Sequence, residues 1–141
     1  MLVRDYMTEK VFTIPADKKL LAAKQIMEWA HVRHVPVVDL EGRVVGLVSH
    51  RDLLNASLSS ITPGVVDAER SQHLGTISIE KIMHKGARKI SPTAPIQEAA
   101  KIMRSEKIGC LIVVAQEKLV GIITEYDLLR IVEGLGTHAA A

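Results

Sequence analysis

The sequence predicts an α+β fold that is built twice, each copy having the order strand, helix, strand, strand, helix. Residues 3–54 return as residues 79–129, and self-similarity at a fixed spacing indicates a repeated structural unit. In each copy one segment has the apolar period of a helix, and two neighbouring segments are runs of β-branched residues. The recurring pairs, 76 positions apart, include Met7 and Met83, Ile14 and Ile90, and Val38 and Val114.

The first half of each copy predicts a short strand followed by a helix. An extended piece ends near residues 13–15 or 89–91, and we expect the helix to start at a good capping residue, Asp17 or Thr93. Apolar side chains then recur with a helical period over 20–30 and 96–103. Each helix is therefore expected to bury one face.

The second half of each copy predicts a β-hairpin and a second helix. In the first copy the β-branched runs 35–38 and 44–48 are separated by a turn at Glu41-Gly42. In the second copy the runs 111–114 and 119–123 are separated by a turn at Glu117-Lys118. The closing helix is expected to begin at Ser49 or at Thr124.

The repeats define the expected domain organisation. The first repeat covers 1–56 and the second covers 78–133. The intervening segment 57–77 is rich in serine, proline and glycine, so we expect a linker, with an extra helix over 65–73. The end of the chain, 134–141, is expected to be a frayed tail.

The composition is that of a small globular protein and argues against nucleic-acid binding. With 141 residues and 48% hydrophobic content, the chain can build one domain or two half-domains that share a core. Its 18 basic and 16 acidic residues are scattered, and 3% aromatic residues leave few rings on which bases could stack. We expect no nucleic acid among its partners.

The sequence also predicts a cytoplasmic protein without a membrane segment. Charged Arg4 and Asp5 lie where a signal peptide needs an apolar core. The longest apolar runs, such as 111–115, are far shorter than the roughly 20 residues that cross a bilayer. Cys110 is the only cysteine, so no disulfide can form within the chain.

Neither catalysis, nor a metal site, nor a prosthetic group is predicted. His31 and His34 are three positions apart, but no cysteine or acid cluster lies beside them at ligand spacing. Cys110 begins an apolar strand without an evident base, and a lone buried cysteine is usually part of the packing. We therefore expect a protein that is not an enzyme.

Each copy closes on a glycine-bearing strand, a hydroxyl residue and, three positions later, an aspartate: Ser49 with Asp52, and Thr124 with Asp127. This spacing is typical of a helix cap, in which hydroxyl and acid satisfy free N–H groups of the first turn. It also suits a nucleotide. A helix N-terminus favours a phosphate, and a carboxylate can accept both hydroxyls of one ribose.

Together these motifs resemble a tandem pair of cystathionine-β-synthase (CBS) domains, a Bateman module. The likeness extends from Val3 to about Val132 and rests on Met7 and Met83, the central helices, the hairpins and the closing Gly-h-h-Ser/Thr-x-x-Asp, where h is apolar. It implies two repeats packed strand against strand with pseudo-twofold symmetry. It also implies two clefts that bind adenosine-containing ligands such as AMP, ADP, ATP or S-adenosylmethionine.

The resemblance assigns roles to single positions. Asp52 and Asp127 would hold the ribose hydroxyls, with Ser49 and Thr124 near a phosphate or its equivalent. The adenine would lie between the first strand and the start of the second, contacted mainly by backbone atoms. Those positions are Thr13, Ile14, Arg33, His34 and Val35 in one cleft, and Lys89, Ile90, Ile108, Gly109 and Cys110 in the other.

The variable pair inside the motif predicts unequal clefts. It is His50-Arg51 in the first copy and Glu125-Tyr126 in the second. Arg51 would attract a phosphorylated ligand and Glu125 would repel one, so we expect such a ligand to prefer the cleft around Asp52. The alternative is that Arg51 simply faces solvent.

The function implied by the resemblance is regulation. The chain would bind an adenosyl ligand and pass the change in shape or stiffness to an unidentified target protein. Modules of this family commonly form homodimers through their helices, and Trp29 lies off the apolar stripe of its helix, where it could join such a contact. The alternative for Trp29 is a half-buried surface tryptophan that covers the linker. The alternative is a ligand-free structural or dimerisation module whose Ser/Thr-x-x-Asp motifs are only helix caps.

Overall fold

The computed structural model describes residues 1–58 and 72–139, which form two α+β units. The first compact unit is Phe12–Ala87, and the second compact unit combines Met1–Val11 with Arg88–Ala141. Each unit contains one three-stranded sheet. The predicted fold class is confirmed, as is the order strand, helix, strand, strand, helix in each copy.

The elements follow the same order in both units. In the first compact unit they are β1 (Ile14–Pro15), α1 (Leu20–Ala30), β2 (His34–Val38), β3 (Val44–Ser49), α2 (His50–Leu58) and α3 (Ile79–Ile82). In the second compact unit they are a 3-10 helix (Val3–Asp5), β4 (Lys89–Ile90), α4 (Ile96–Glu106), β5 (Cys110–Ala115), β6 (Lys118–Thr124) and α5 (Glu125–Ala139).

The central strand of each sheet is the first strand of the hairpin. In the first compact unit β2 pairs parallel with β1 and antiparallel with β3. In the second compact unit β5 pairs parallel with β4 and antiparallel with β6. Because the hairpin strands are antiparallel, the start of the central strand meets the end of the third strand, where the closing helix begins.

Each unit has its own apolar core between its sheet and its helices. The apolar side chains of α1 and α4 that follow a helical period face this core, as the sequence predicts. Fully buried members of the first core are Leu20, Ala23, Val35, Val37, Val48 and Ile79. Those of the second core are Val3, Ala99, Leu111, Val113 and Ile123.

The first residues of each repeat belong to the compact unit formed by the other repeat. Ile79, in the second repeat, has no solvent exposure within the first compact unit, and its N–H donates to the carbonyl oxygen of Lys18 at 3.0 Å. Val3, in the first repeat, is likewise buried in the second compact unit and donates to the carbonyl oxygen of Ala94 at 2.9 Å. The two repeats therefore exchange their leading segments.

The exchanged segments bring a methionine against a strand glycine. A Cβ built on Gly46 would lie 2.6 Å from Sδ of Met83, and one built on Gly121 would lie 2.7 Å from Sδ of Met7. Contacts this short exclude any side chain at the two glycines unless the methionine moves. Two residue types that recur in both copies of the sequence are thus packing partners.

The predicted caps of the first helix in each copy are wrong. α1 begins at Leu20 and α4 begins at Ile96, and Asp17 and Thr93 lie in the turns before them. The first helical N–H groups instead donate to backbone carbonyls of another segment. The N–H of Leu20 bonds to Ile77 at 2.9 Å, and that of Ile96 bonds to Met1 at 3.0 Å. No side-chain cap is needed where the backbone already supplies an acceptor.

The two hairpins turn differently. In the first, the predicted turn at Glu41-Gly42 lies inside the loop, where Gly42 has φ of 79°. The carboxylate of Asp39 accepts the N–H groups of Glu41 and Arg43, each at 2.9 Å, and the backbone hydrogen bond from Arg43 is the main cause that lowers the pKa of Asp39.

The predicted turn of the second hairpin lies one residue too late in the sequence. The prediction places it at Glu117-Lys118, but Lys118 is the first residue of β6. Gln116 and Glu117 form the turn, with φ of 52° and 64°. A two-residue hairpin loop with both central residues at positive φ is a type I′ turn, which neither residue type favours, and so composition gives no signal for it.

The closing helix is longer than the sequence predicts. α5 continues to Ala139, so the backbone of 134–139, expected to be frayed, is helical. The linker predicted over 57–77 and the helix predicted over 65–73 fall largely on residues 59–71, outside the described part of the chain. Residues 140–141 also lie outside it.

Candidate functional site

The hairpin register brings the predicted residues of the second and third strands together at one end of each sheet. In the first compact unit His34 is paired with Ser49, and the N–H of His50 donates to the carbonyl oxygen of Arg33 at 2.8 Å. In the second compact unit Cys110 is paired with Thr124, and Glu125 donates to Gly109 at 3.1 Å. Each closing helix therefore starts beside the first residues of the central strand.

The residues predicted on the first strand lie on the other side of the central strand from the hydroxyl residue and farther along it, since Ser49 is opposite His34 and Thr124 is opposite Cys110. Ile14 is paired with Val37 of β2, and Lys89 is paired with Ile112 of β5. Because β2 and β5 are the central strands, the first strand and the Ser/Thr-x-x-Asp motif flank them on opposite sides. A ligand that touched both would have to extend over the start of the central strand.

The side chains at the predicted backbone-contact positions differ in burial. Four of these side chains point into the core, so only their backbone atoms are available to a ligand: Ile14 (2% exposed), Val35 (0%), Ile90 (7%) and Cys110 (4%). Thr13, Arg33, Arg51 and Lys89 are exposed, whereas His34, Ile108 and Gly109 are half-buried.

Asp52 is a buried carboxylate, 8% exposed, in the first turn of α2. Its Oδ2 accepts the N–H of Ser49 at 2.7 Å and the hydroxyl of Ser49 at 3.0 Å. The N–H of Asp52 is directed at Ser49 Oγ at 3.3 Å, which completes a reciprocal cap. Oδ1 contacts Nε2 of His84 at 2.8 Å.

Asp127 occupies the equivalent place in α5 and is 4% exposed. Its Oδ2 accepts the N–H of Thr124 at 2.9 Å and the hydroxyl of Thr124 at 3.3 Å. Among the described residues, the cation nearest to Oδ1 is Nη1 of Arg130, at 3.8 Å, which is longer than a hydrogen bond. In both units the cap thus uses one carboxylate oxygen and leaves the other for a different partner.

Cys110 has the properties of a packing residue. Burial is the main cause that raises the pKa of its thiol to about 12, and the negative charge of Asp127 raises it further. A thiol with so high a pKa carries almost no thiolate at neutral pH, and the thiolate is the reactive form. The prediction that Cys110 packs rather than reacts is consistent with this environment.

One neighbour of the predicted sites is missed by sequence reasoning. His84 contacts Asp52 from 32 positions away in the sequence, so no local motif could reveal it. Glu125, by contrast, follows Thr124 directly in the motif and is named from the sequence as a residue of the second cleft. Its carboxyl group lies over Gly109, where a Cβ would be 3.5 Å from Glu125 Cδ.

Two cavities of the first compact unit are bordered by different predicted residues. One cavity, of about 530 Å³, is bordered by Arg33 with His31, His50 and apolar residues of α1 and α2. Another, of about 440 Å³, is bordered by Thr13 and Ile14 with Trp29. Asp52 borders neither of these two cavities.

Membrane-spanning helices and metal clusters are both absent from residues 1–58 and 72–139. None of the helices in these ranges is both long enough and apolar enough to span a bilayer. Within the same ranges, no three histidine, cysteine or acidic side chains converge at a distance suited to a metal ion.

Comparison with known sequences identifies both repeats. The sequence profile of the CBS domain matches residues 3–59 and 79–134. A CBS domain-containing protein of Dictyostelium discoideum is 32% identical over 130 residues, which cover 92% of this chain and 89% of that protein. The chain also matches part of a homoserine O-acetyltransferase of Methanohalobium evestigatum, of which it spans only 24%.

Solved structures share the fold over nearly the whole chain. A putative acetoin utilization protein (AcuB) from Vibrio cholerae is 37% identical with a TM-score of 0.77, covering 96% of this chain and 92% of that one. The CBS domain pair of protein MJ0100, in complex with 5′-methylthioadenosine and S-adenosylmethionine, has a TM-score of 0.80 at 24% identity and covers 95% and 97%. CBSX2 in complex with AMP has a TM-score of 0.77 at 22% identity and covers 96% and 98%.

Proposed function

Because the chain belongs to the CBS domain family and contains two of its domains, we propose that it is a regulatory module that binds an adenosine-containing ligand and passes the binding signal to a partner protein. The proposal gives the chain no covalent chemistry of its own. Ligand binding would favour one arrangement of the protein, and a coupling of about 1 to 3 kcal/mol is enough to alter a partner's affinity.

The observation that carries the proposal is the buried aspartate at the start of each closing helix. Asp127 uses Oδ2 in the helix cap, and within the described part of the chain Oδ1 forms no hydrogen bond. A helix cap alone does not need a second buried oxygen. A carboxylate oxygen with free lone pairs accepts the hydroxyls of a ribose well, because it accepts hydrogen bonds and donates none.

The surroundings of the aspartates support a nucleotide in particular. α5 and α2 each begin at the residue after the hydroxyl, so the positive end of the helix dipole lies beside the proposed ribose site. The polar backbone at the start of β2 and β5 supplies donors and acceptors that could recognise an adenine edge. This arrangement also fits Thr13, Ile14, Arg33, His34 and Val35, with their second-unit equivalents, as backbone contacts.

The ligands of related structures define the chemical class that we propose. 5′-Methylthioadenosine, S-adenosylmethionine and AMP are the molecules bound in the MJ0100 and CBSX2 structures. All three contain adenosine and differ only at the 5′ position. The proposed ligand of this chain is accordingly an adenosine derivative, with AMP, ADP, ATP and S-adenosylmethionine as candidates.

We further propose that the two sites differ at the 5′ end of the ligand. Arg51 is exposed in the first turn of α2, where it can approach a phosphate. Glu125 lies over Gly109 in the second compact unit, so its carboxylate would oppose a phosphate there. A phosphorylated ligand would then prefer the first compact unit, and an uncharged 5′ group would be tolerated by the second.

The partners in this proposal are a second copy of the chain, through the helices, and an unidentified target protein in the cytoplasm. Apolar side chains stand exposed on two helices and support a helical contact. Trp29 of α1 is 74% exposed, and Tyr126, Leu129 and Val132 of α5 are between 65% and 70% exposed. Exposed large apolar residues in one row commonly mark a contact surface.

A thermal-unfolding panel tests the proposal. The full chain is heated with AMP, ADP, ATP, S-adenosylmethionine or 5′-methylthioadenosine, and a specific ligand at 100 times its dissociation constant should add about 2.7 kcal/mol of stability. The double variant Asp52→Asn/Asp127→Asn should lose this stabilisation. The matched control Asp17→Asn, an exposed aspartate in a turn, should retain it.

The alternative, a structural module whose aspartates are only caps, is favoured by the same Oδ2 contacts. Ser49 and Asp52 form a complete reciprocal cap without any ligand. That alternative predicts that no compound of the panel raises the unfolding temperature. It also predicts that the Asp→Asn variants lose about 1 kcal/mol of stability equally with and without ligand.

A further inference from the structure

The two proposed ribose sites differ in the partner of the second aspartate oxygen. In the first compact unit, His84 Nε2 lies 2.8 Å from Asp52 Oδ1. Since a carboxylate oxygen only accepts hydrogen bonds, Nε2 donates in this contact. The carboxylate of Asp52 is nearly buried, at 9% exposure, whereas the His84 side chain is 69% exposed.

The backbone of His84 is firmly placed although its imidazole is open to solvent. Its N–H donates to the carbonyl oxygen of Leu47 at 2.9 Å, and its own carbonyl oxygen accepts the N–H of Leu47 at 3.0 Å. These two bonds fix the exchanged segment to β3. The imidazole can therefore rotate into solvent without any change in the backbone.

Thr8 occupies the equivalent position in the second compact unit, 76 positions earlier. Its backbone makes the same two bonds, to Ile122, at 2.8 Å and 2.9 Å. In the described part of the chain, however, no hydrogen bond joins Thr8 to Asp127. The same backbone scaffold thus carries a histidine that reaches the aspartate in one unit and a threonine that does not in the other.

The two carboxylates differ in how many acceptor positions remain free for a ligand. A carboxylate has about four acceptor positions, two on each oxygen. On Asp127 both donors from Thr124 go to Oδ2, so the two positions on Oδ1 remain for the two hydroxyls of a ribose. On Asp52, Oδ2 carries the two donors from Ser49 and Oδ1 carries His84, which leaves one position.

We propose that His84 makes the two ribose sites unequal: Asp127 accepts both hydroxyls of an adenosine ligand directly, and Asp52 accepts the second hydroxyl only after the imidazole of His84 has left Oδ1. His84 is a specificity-determining residue in this arrangement, since it competes with one ribose hydroxyl for one oxygen. The inference rests on the proposed function, because it concerns the same ribose sites.

Competition between His84 and a ribose hydroxyl should change the selectivity of the site between AMP and 2′-deoxy-AMP, which a change in protein stability would not do. 2′-Deoxy-AMP offers one ribose hydroxyl fewer than AMP. A site with one free acceptor position can bind only one of the two hydroxyls directly. It therefore loses little affinity when the 2′-hydroxyl is absent and hardly distinguishes the two compounds. A site with two free acceptors prefers AMP by about tenfold, which is the effect of one hydrogen bond to a charged group.

The experiment isolates each site and then exchanges the two residues. Asp127→Ala leaves the Asp52 site, and Asp52→Ala leaves the Asp127 site; calorimetry measures the affinity of each for AMP and for 2′-deoxy-AMP. His84→Thr in the first background should raise the affinity for AMP about tenfold and create a preference over 2′-deoxy-AMP. Thr8→His in the second background should weaken the binding of AMP and remove the preference.

Two results would overturn the inference. One is an affinity for AMP at the Asp52 site that is unchanged or lower in His84→Thr, since a lower affinity would make His84 a ligand contact. The other is an equal preference for AMP over 2′-deoxy-AMP at the Asp52 site and at the Asp127 site when His84 and Thr8 are both unchanged. Thermal unfolding of each variant confirms that it is folded, and the exchanged residues already occur on this backbone in the other unit.

The failure of the proposed function would look different. In that case the wild-type chain binds neither compound at either site. The contact itself remains testable without ligand, because Asp52→Asn should shift the imidazole ¹⁵N resonances of His84 at fixed pH, while Asp127→Asn should not. Unshifted resonances in Asp52→Asn would overturn the His84 contact whatever the binding data show.

Discussion

Met83 packs directly on Gly46, with its sulfur 2.6 Å from the position that a Cβ at residue 46 would take. Met7 has the same relation to Gly121, at 2.7 Å. Each pair joins a hairpin strand of one repeat to the leading segment of the other. The hairpin register shifts beside both glycines, but neither has positive φ. The glycine is thus required by the close approach of the exchanged segment.

Substitution of either glycine should destabilise the protein. Gly46→Ala and Gly121→Ala force the methionine to move and should each lower the free energy of unfolding by about 1 to 3 kcal/mol, as overpacking does. Gly86→Ala is the matched control, because a Cβ added at residue 86 would have no atom within 4 Å. Urea unfolding measures all three; equal stability of Gly46→Ala and Gly86→Ala would contradict the packing argument.

Loss of an apolar side chain from an exchanged segment should be as costly as loss of a core residue. Ile79 has no solvent exposure, so Ile79→Ala should lower the free energy of unfolding by about 2 to 5 kcal/mol. Leu40, which is 99% exposed, provides the control, and Leu40→Ala should change stability by less than about 0.5 kcal/mol. A small effect at Ile79 would mean that the segment contributes little to the core.

The second hairpin offers a stabilising change. Gln116 and Glu117 both have positive φ, a conformation that Asn and Gly adopt more readily in a two-residue turn. The pair of substitutions Gln116→Asn and Glu117→Gly should raise the free energy of unfolding by about 0.5 to 1 kcal/mol, measured by urea unfolding. Glu117→Ala leaves a Cβ at positive φ and should give no such gain.

The thiol of Cys110 should make stability fall in alkaline solution. Its pKa is about 12 in the folded protein and near 9 in the unfolded chain, so the unfolded chain loses its proton first. Stability is therefore unaffected below about pH 9 and decreases as the pH rises towards 12, by at most about 1.4 kcal/mol per pH unit. Urea unfolding between about pH 7 and pH 10.5 checks this.

Cys110→Ala is the control for the alkaline effect. The variant has no thiol, so its stability should fall less steeply above about pH 9 than that of the wild type. Parallel pH profiles for the two proteins would show that the thiol ionises normally in the folded state.

The sequence is sufficient for the repeated architecture and for the motif residues. The order of elements follows from periodicity, and the places of Ser49, Asp52, Thr124 and Asp127 follow from a local motif that also caps a helix. Such signals lie within a few residues of each other. The structure agrees with them because local patterns and tertiary packing demand the same conformation there.

The predictions that fail depend on distant partners. The starts of α1 and α4 are misplaced because backbone carbonyls of Ile77 and Met1, not side chains, accept their first N–H groups. His84 is missed because it reaches Asp52 across 32 positions and from the other repeat. In each case the missing information is which segment packs against which, and a single sequence does not contain it in readable form.

The unit that is repeated in the sequence and the unit that folds are offset from each other. The family match begins at residues 3 and 79, whereas the compact units change at residues 12 and 88, nine positions later in both copies. A gene fragment cut at the repeat boundary would encode one repeat without the leading segment that completes its core. It would instead carry the leading segment that packs on the other repeat. Each of two such fragments would need the other to complete its core. The described residues of the first core, by contrast, all lie within residues 12–87.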